Sequence, residues 1–381
     1  MKFIDKKKIT QYLSEKNLED SSSDLINELE SLVSKTVTLH ANKIRKQKRK
    51  EQLDFFQEKF FAKDYLTKDQ ISKLPNFLQK QIDTLEITGN TKKTLIASDG
   101  KKYSLDNKLN DLSGAEWSYF LRSVINTRYQ TSGDESYAHK IRKMHPSPKP
   151  PQLMRDLIKF FTKKDDLILD YFMGVGGTLL GASLCNRKAL GIDLNNDFIS
   201  AYKKANEELK LEEQKTINGD SIKLIEEKKV IHDFLGKNLF SLIAIDPPYG
   251  DMMSRVKTGE AIKRKQSTLP TPYTDKDTDL GNMDGTTFLK IFIDSIIKSS
   301  IFLKENGHLI VFIKDLQPKN GETNQLHALL IEEINKIKNI KYIGMKIWVD
   351  ESINLFPYGY PHSFVSNQLH QYILFFKKIE K

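Results

Sequence analysis

The stretch Leu167-Ile168-Leu169-Asp170-Tyr171-Phe172-Met173-Gly174-Val175-Gly176-Gly177-Thr178 decides the fold. A short apolar run ends in an acid and opens into a glycine-rich turn ahead of a helical segment. That is how a buried parallel strand delivers the chain to a ligand. A second apolar run, Leu239 to Ile245, ends in Asp246-Pro247-Pro248-Tyr249. Two such loops at strand ends belong on one rim of a parallel sheet, where ligands of doubly wound folds bind.

Working outward, strands are expected at 167–170, 188–193, 215–218, 240–245, 308–313, 341–348 and 369–377. Helices are expected at 178–186, 197–210, 221–228, 285–304 and 322–337. The alternation predicts a mostly parallel sheet with helices on both faces. The last two strands have no helix between them, which predicts an antiparallel ending. Upstream, residues 1–114 are expected to form a helical, basic region that contacts DNA or a partner. Leu25, Leu29, Leu32 and Val33 recur at helical spacing, and Lys43 to Lys50 is a dense basic run. Ser98-Asp99-Gly100-Lys101 reads as a turn. The main domain is expected over 115–381. Trp117, Tyr119, Phe120 and Val124 suggest a helix against it, and His145-Pro146-Ser147-Pro148-Lys149-Pro150-Pro151 an extended segment. An amphipathic helix follows, with Leu153, Leu157, Ile158 and Phe161 on one face. The polar segment 251–284 interrupts the alternation directly after Tyr249. It carries Arg255, Lys257, Lys263, Arg264 and Lys265, and is read as a basic loop facing DNA.

A hydrophobic fraction of 39% and a charged fraction of 29% fit a globular protein with a core. No apolar run approaches the ~18 residues of a membrane span, and no membrane partner is expected. The start lacks the apolar stretch of a secretory signal, so a cytoplasmic location is expected. A single cysteine, Cys185, excludes an intrachain disulfide and a cysteine-based zinc site; the scattered histidines imply no metal. Sixty basic against fifty acidic side chains give a net charge of +10, which favours a polyanionic partner.

The chemistry follows from the strand ends. Gly174 and Gly176 let backbone approach a ligand. Asp193, closing Ala189-Leu190-Gly191-Ile192-Asp193, suits both ribose hydroxyls; its bland alternative is a cap for the next helix. Asp220 suits an adenine amine, with helix capping as a coexisting role. These features point to an adenosine-type cofactor, either a dinucleotide or S-adenosylmethionine. The Asp246–Tyr249 loop decides between them, because hydride transfer has no use for it. An exocyclic amine on adenine or cytosine is a poor nucleophile, its lone pair being delocalised into the ring. Hydrogen bonds from its N–H groups to the Asp246 carboxylate and the Pro247 carbonyl favour a more tetrahedral nitrogen. Pro247 and Pro248 stiffen the acceptors, and Tyr249 stacks on a base swung out of its helix.

At these residues the chain resembles the amino-specific DNA methyltransferases, which modify adenine N6 or cytosine N4. The resemblance covers roughly residues 115–381. It rests on the Pro146-Ser147-Pro148 segment, the Asp170–Thr178 loop, the Asp246–Tyr249 loop, and the ending from Phe356-Pro357-Tyr358 through His370-Gln371-Tyr372. Tyr171 stands where the family usually has proline, and Gly177 where it has serine or threonine. The resemblance implies a Rossmann-like, seven-stranded S-adenosylmethionine-dependent methyltransferase fold. It implies cofactor contacts at His145, Pro148, Asp170, Phe172, Gly174, Gly176, Thr178, Asp193 and Asp220, and chemistry at Asp246, Pro247, Pro248 and Tyr249. Phe356 or Tyr358 is a candidate for the other face of the base. An acid at the head of the second loop mostly accompanies adenine enzymes, so the expected reaction is adenine-N6 methylation of DNA. The resemblance implies a restriction-modification setting, with a restriction endonuclease or other defence-system subunit as the expected partner. The alternatives are cytosine-N4 methylation, guanine-N2 methylation of RNA, and a non-catalytic DNA-binding subunit.

Overall fold

The computed structural model describes residues 59–89, 91–248, 273–315, 325–355, 357, 360–362, 364 and 366–380. The expected helix at Leu25 to Val33 and the basic run Lys43 to Lys50 lie outside the described residues. So do Tyr249, Phe356, Tyr358, and the loop side chains Arg255, Lys257, Lys263, Arg264 and Lys265.

The chain divides into compact units 1–61 and 62–381, so the boundary expected near 114 falls inside the second unit. Side chains explain why. Asn110 donates through Nδ2 to the Phe160 carbonyl at 2.7 Å, and Arg187 meets Asp111 at 3.1 Å, fastening this connection to the main domain. The stretch expected to be helical also contains a sheet. Strands β1 (Glu86–Thr88), β2 (Thr94–Ile96) and β3 (Lys102–Ser104) pair antiparallel in that order. Each buries one side chain: Ile87, Leu95 and Tyr103. Gly100, at φ +78°, makes the expected turn, with Asp99 accepting from the Lys101 N–H at 3.0 Å.

The main sheet comprises β4 (Val124–Thr127), β5 (Leu167–Asp170), β6 (Lys188–Asp193), β7 (Lys215–Asn218), β8 (Phe240–Ile245), β9 (Leu303–Ile313), β10 (Ile340–Asp350) and β11 (His370–Lys378). Their order is β4-β10-β11-β9-β8-β5-β6-β7. Strands β5 to β9 are mutually parallel, and β11 runs antiparallel to both β9 and β10 as expected. An eighth strand, β4, lies parallel to β10 at the edge. It starts at Val124, so the helix expected to include that residue stops earlier, spanning Gly114–Phe120 behind a Ser113–Glu116 capping box.

Helices cover both faces. One core packs Leu169, Ile243 and Val311 against the helix Gly285–Ser299; the other packs Ile168, Leu242 and Ile310 against Pro151–Phe161 and Gly177–Leu184. Alternate residues of the same strands therefore serve opposite cores. All six residues of β8 are buried as a result, which is why it reads as an unbroken apolar run. Strand order reverses between β5 and β8: the chain runs outward through β6 and β7, then returns to the other side of β5. The carboxyl ends of β5 and β8 flank that switch point, placing the Asp170 and Asp246 loops side by side. Among the described residues, no helix is long and apolar enough to cross a membrane.

Candidate active site

The turn after β5 is built by its glycines, a buried acid and a half-buried one. Asp170 is 4% exposed and accepts the Phe172 N–H at 3.1 Å. Burial pushes its carboxyl up to about 7, against the opposing pull of bonds from Thr178 and Phe172. Gly174 and Gly176 adopt φ of +49° and +75°. A Cβ on Gly176 would sit 2.2 Å from Cδ2 of the buried Tyr202, and one on Gly174 would sit 3.3 Å from the His145 ring. Protein packing by itself demands glycine at 176.

Asp193, at the end of β6, accepts the Gly174 N–H at 2.7 Å and the Asn195 N–H at 2.8 Å. Burial pushes its carboxyl up to about 6. The next helix, Asn196–Glu208, is capped by Asn195, which frees Asp193 from that role. Asp220 does cap its helix, accepting from Ile222 and Lys223 at 3.0 and 3.4 Å.

His145, Phe172, Gly174, Asp193, Asp220, Asp246, Pro247 and Pro248 line one cavity of about 380 Å³. Pro148, Asp170 and Thr178 stand behind it around a smaller space that also reaches Asp246. Gly176 lines neither. The cavity fits an adenosine-type cofactor. It places a carboxylate braced by two backbone N–H groups beside the glycine turn, a second carboxylate at Asp220, and apolar walls from Phe172 and Phe198.

Several wall residues escape a reading of the sequence. Tyr273 stacks on His145, ring centroids 5.1 Å apart, and its carbonyl accepts from Asn195 Nδ2 at 2.9 Å. It is the one aromatic residue between 251 and 284, a signal that the charge of that segment obscures. Asp279, 5% exposed, organises the same turn by accepting from Thr274 and Gly281. Burial lowers His145 to about 4, so its ring is neutral near pH 7; Ser147 N–H donates to Nδ1, which puts the proton on Nε2. Gln371 lines the cavity with a buried Oε1 that has no hydrogen-bond partner among the described residues. Lys314 lines it too, its ammonium weakened by burial and then by Lys149. Lys149 itself pairs with Asp246 at 2.5 Å.

The two departures from the resembled pattern have structural reasons. Tyr171 is wholly buried, its hydroxyl 3.2 Å from Ser295 Oγ, and it anchors the turn to the helix Gly285–Ser299. A Cβ on Gly177 would stand 2.6 Å from the Lys149 carbonyl, so no side chain fits there.

A family model described as DNA methylase matches residues 3–204, a span that includes the glycine turn and Asp193 and stops before Asp246. The tRNA (guanine(10)-N2)-dimethyltransferase of Methanocaldococcus jannaschii is 31% identical over 163 residues, 41% of this chain and 43% of that protein. The Type II methyltransferase M.HindIII of Haemophilus influenzae is 41% identical over 66 residues, 17% of this chain and 19% of that protein. The chain thus spans less than half the length of these relatives. A Streptococcus mutans putative methyltransferase solved with SAH is 11% identical, with a TM-score of 0.33, covering 61% of this chain and 98% of that one.

Proposed function

The chain belongs to the DNA methylase family, as an S-adenosylmethionine-dependent methyltransferase, and we propose that its substrate is the exocyclic N6 amine of a flipped adenine in DNA. The observation that carries the proposal is Asp246. Its carboxylate closes the strand next to β5, on the wall it shares with Phe172, Gly174 and Asp193. An amine-directed acceptor therefore stands beside the cofactor cradle.

When bound, S-adenosylmethionine supplies an electrophilic methyl group. The residues of the chain prepare the nucleophile. The Asp246 carboxylate and the Pro247 carbonyl accept the two amine N–H groups, drawing the nitrogen toward tetrahedral geometry. Both sit on a proline-stiffened turn, so little reorganisation accompanies reaction. Asp193 holds the ribose, and the neutral His145 lines the cavity without placing a second cation near the sulfonium. The buried Gln371 Oε1, without a partner among the described residues, offers a further acceptor to a base entering from this side. Tyr249 and the basic side chains of the segment 251–284 complete the reading as base stack and phosphate contact.

A second reading, guanine-N2 methylation of RNA, is favoured by one finding. The tRNA methyltransferase match covers 41% of the chain, the DNA methyltransferase match 17%. The acid at the loop head favours adenine over cytosine, through the resemblance, and does not separate adenine from guanine. Radiolabelled S-adenosylmethionine offered with duplex DNA and with tRNA separates the two. Label in DNA, abolished by Asp246→Ala with cofactor binding retained, supports the proposal. Label in tRNA alone overturns the substrate, and an active Asp246→Ala variant overturns the mechanism.

A further inference from the structure

Asp246 does not stand alone. Lys149 Nζ lies 2.5 Å from its Oδ2, with the lysine 7% and the aspartate 19% exposed. The two residues are 97 positions apart, one on the proline segment before the helix Pro151–Phe161, the other at the end of β8. The lysine is held from both ends. Its carbonyl accepts from the buried Arg142, whose Nε also donates to the Val175 carbonyl at 3.3 Å; the Gly177 backbone packs against the same carbonyl. Its ammonium lies 5.3 Å from the Phe312 ring centroid and 6.0 Å from that of Trp348. An ammonium so placed is stripped of most of its water and can turn only toward the carboxylate or the rings.

We propose that Lys149 is a positioning residue for methyl transfer: it fixes the rotation of the Asp246 carboxylate through Oδ2, so that the carboxylate accepts from the substrate amine. The inference rests on the reading of Asp246 given above.

The surroundings make a cation necessary. Asp246 faces His145, which burial keeps neutral near pH 7, the carboxyl of Asp170, and the phenol of Tyr273, which burial also keeps neutral. Lys314, at the end of β9, faces Lys149 and is itself weakened by burial. Two carboxyls at adjacent strand ends repel each other's charge, and Lys149 is a cation in contact with the one that must accept a hydrogen bond. Lys149 also ties chemistry to cofactor binding. The segment that carries its ammonium is bonded through Arg142 to Val175, inside the cofactor turn, so both loops share one brace.

The test is kcat and KM of the full chain on the nucleic acid that the wild type methylates. The variants are Lys149→Met, Lys149→Arg and Asp246→Ala, with S-adenosylmethionine binding measured by calorimetry on each. Methionine keeps the apolar stem over Phe312 and Trp348 and removes the charge. The expected result is a fall in kcat of about 100-fold for Lys149→Met, with cofactor affinity within about threefold of wild type. KM for the nucleic acid stays within about threefold of wild type, since the loss falls on orientation for transfer rather than on binding. Lys149→Arg recovers part of kcat, which a filler of space would not do. An unchanged kcat in Lys149→Met, or no recovery in Lys149→Arg, overturns the proposal while an inactive Asp246→Ala leaves the reading of Asp246 standing. Turnover by Asp246→Ala removes both.

Discussion

Replacement of Gly176 by alanine tests the geometry of the cofactor turn. Two terms add. An L residue held at φ +75° carries left-handed strain of about 1–2 kcal/mol. The new methyl would lie 2.2 Å from Tyr202 Cδ2 and 2.7 Å from Cγ, where over-packing costs about 1–3 kcal/mol. Tyr202 cannot swing aside cheaply. It is fully buried, and its hydroxyl accepts the Gln214 N–H at 2.8 Å, while Gln214 accepts from Ala189 at 2.7 Å. The sum is a loss of about 2–5 kcal/mol in unfolding free energy. Urea denaturation of wild type, Gly176→Ala, Tyr202→Leu and the double variant measures it. The double variant is expected to be less destabilised than the two single losses added together, because leucine removes the ring atoms that the methyl meets. A Gly176→Ala variant within about 0.5 kcal/mol of wild type would refute the reasoning.

Two further outcomes follow from the charges. Cofactor affinity is expected to weaken about tenfold per pH unit below about 6, as Asp193 takes a proton and stops accepting from the ribose; calorimetry should find the profile flat in Asp193→Asn. The folded-state value is raised, so this group's contribution to the stability of the cofactor-free protein is largest below the unfolded value. It is lost as pH rises through about 6, opposite in sign to the affinity, and thermal melts of wild type and Asp193→Asn should show it. Charge reversal of Lys263, Arg264 and Lys265 is expected to flatten the log–log salt dependence of DNA binding by about 0.9 for each phosphate no longer neutralised; an unchanged slope would move the phosphate-binding residues elsewhere.

The sequence makes legible whatever burial on both faces writes locally. Strands β5 and β8 can be read to the residue, because Leu167–Asp170 is an apolar run ending in an acid and Phe240–Ile245 a largely apolar run followed by one. Helix Lys229–Leu235 escapes such a reading: Lys228 is left-handed at φ +59° and joins it to the helix before without a glycine or proline. Strands β1 to β3 escape it because three residues with one buried side chain each leave no period to detect. The acids of the site are legible since each ends a strand. Their partners are not. Lys149 meets Asp246, and Gln371 reaches the cavity from an antiparallel strand, through pairings that only the folded sheet creates.

The central claim, that the Asp246 loop prepares an adenine amine in DNA, is tested most directly by the product. DNA and tRNA, each incubated with the protein and S-adenosylmethionine, are digested to nucleosides and analysed by mass spectrometry. The account predicts N6-methyladenine from DNA, absent with Asp246→Ala. N4-methylcytosine from DNA, or N2-methylguanine from tRNA with no modified adenine, would contradict it.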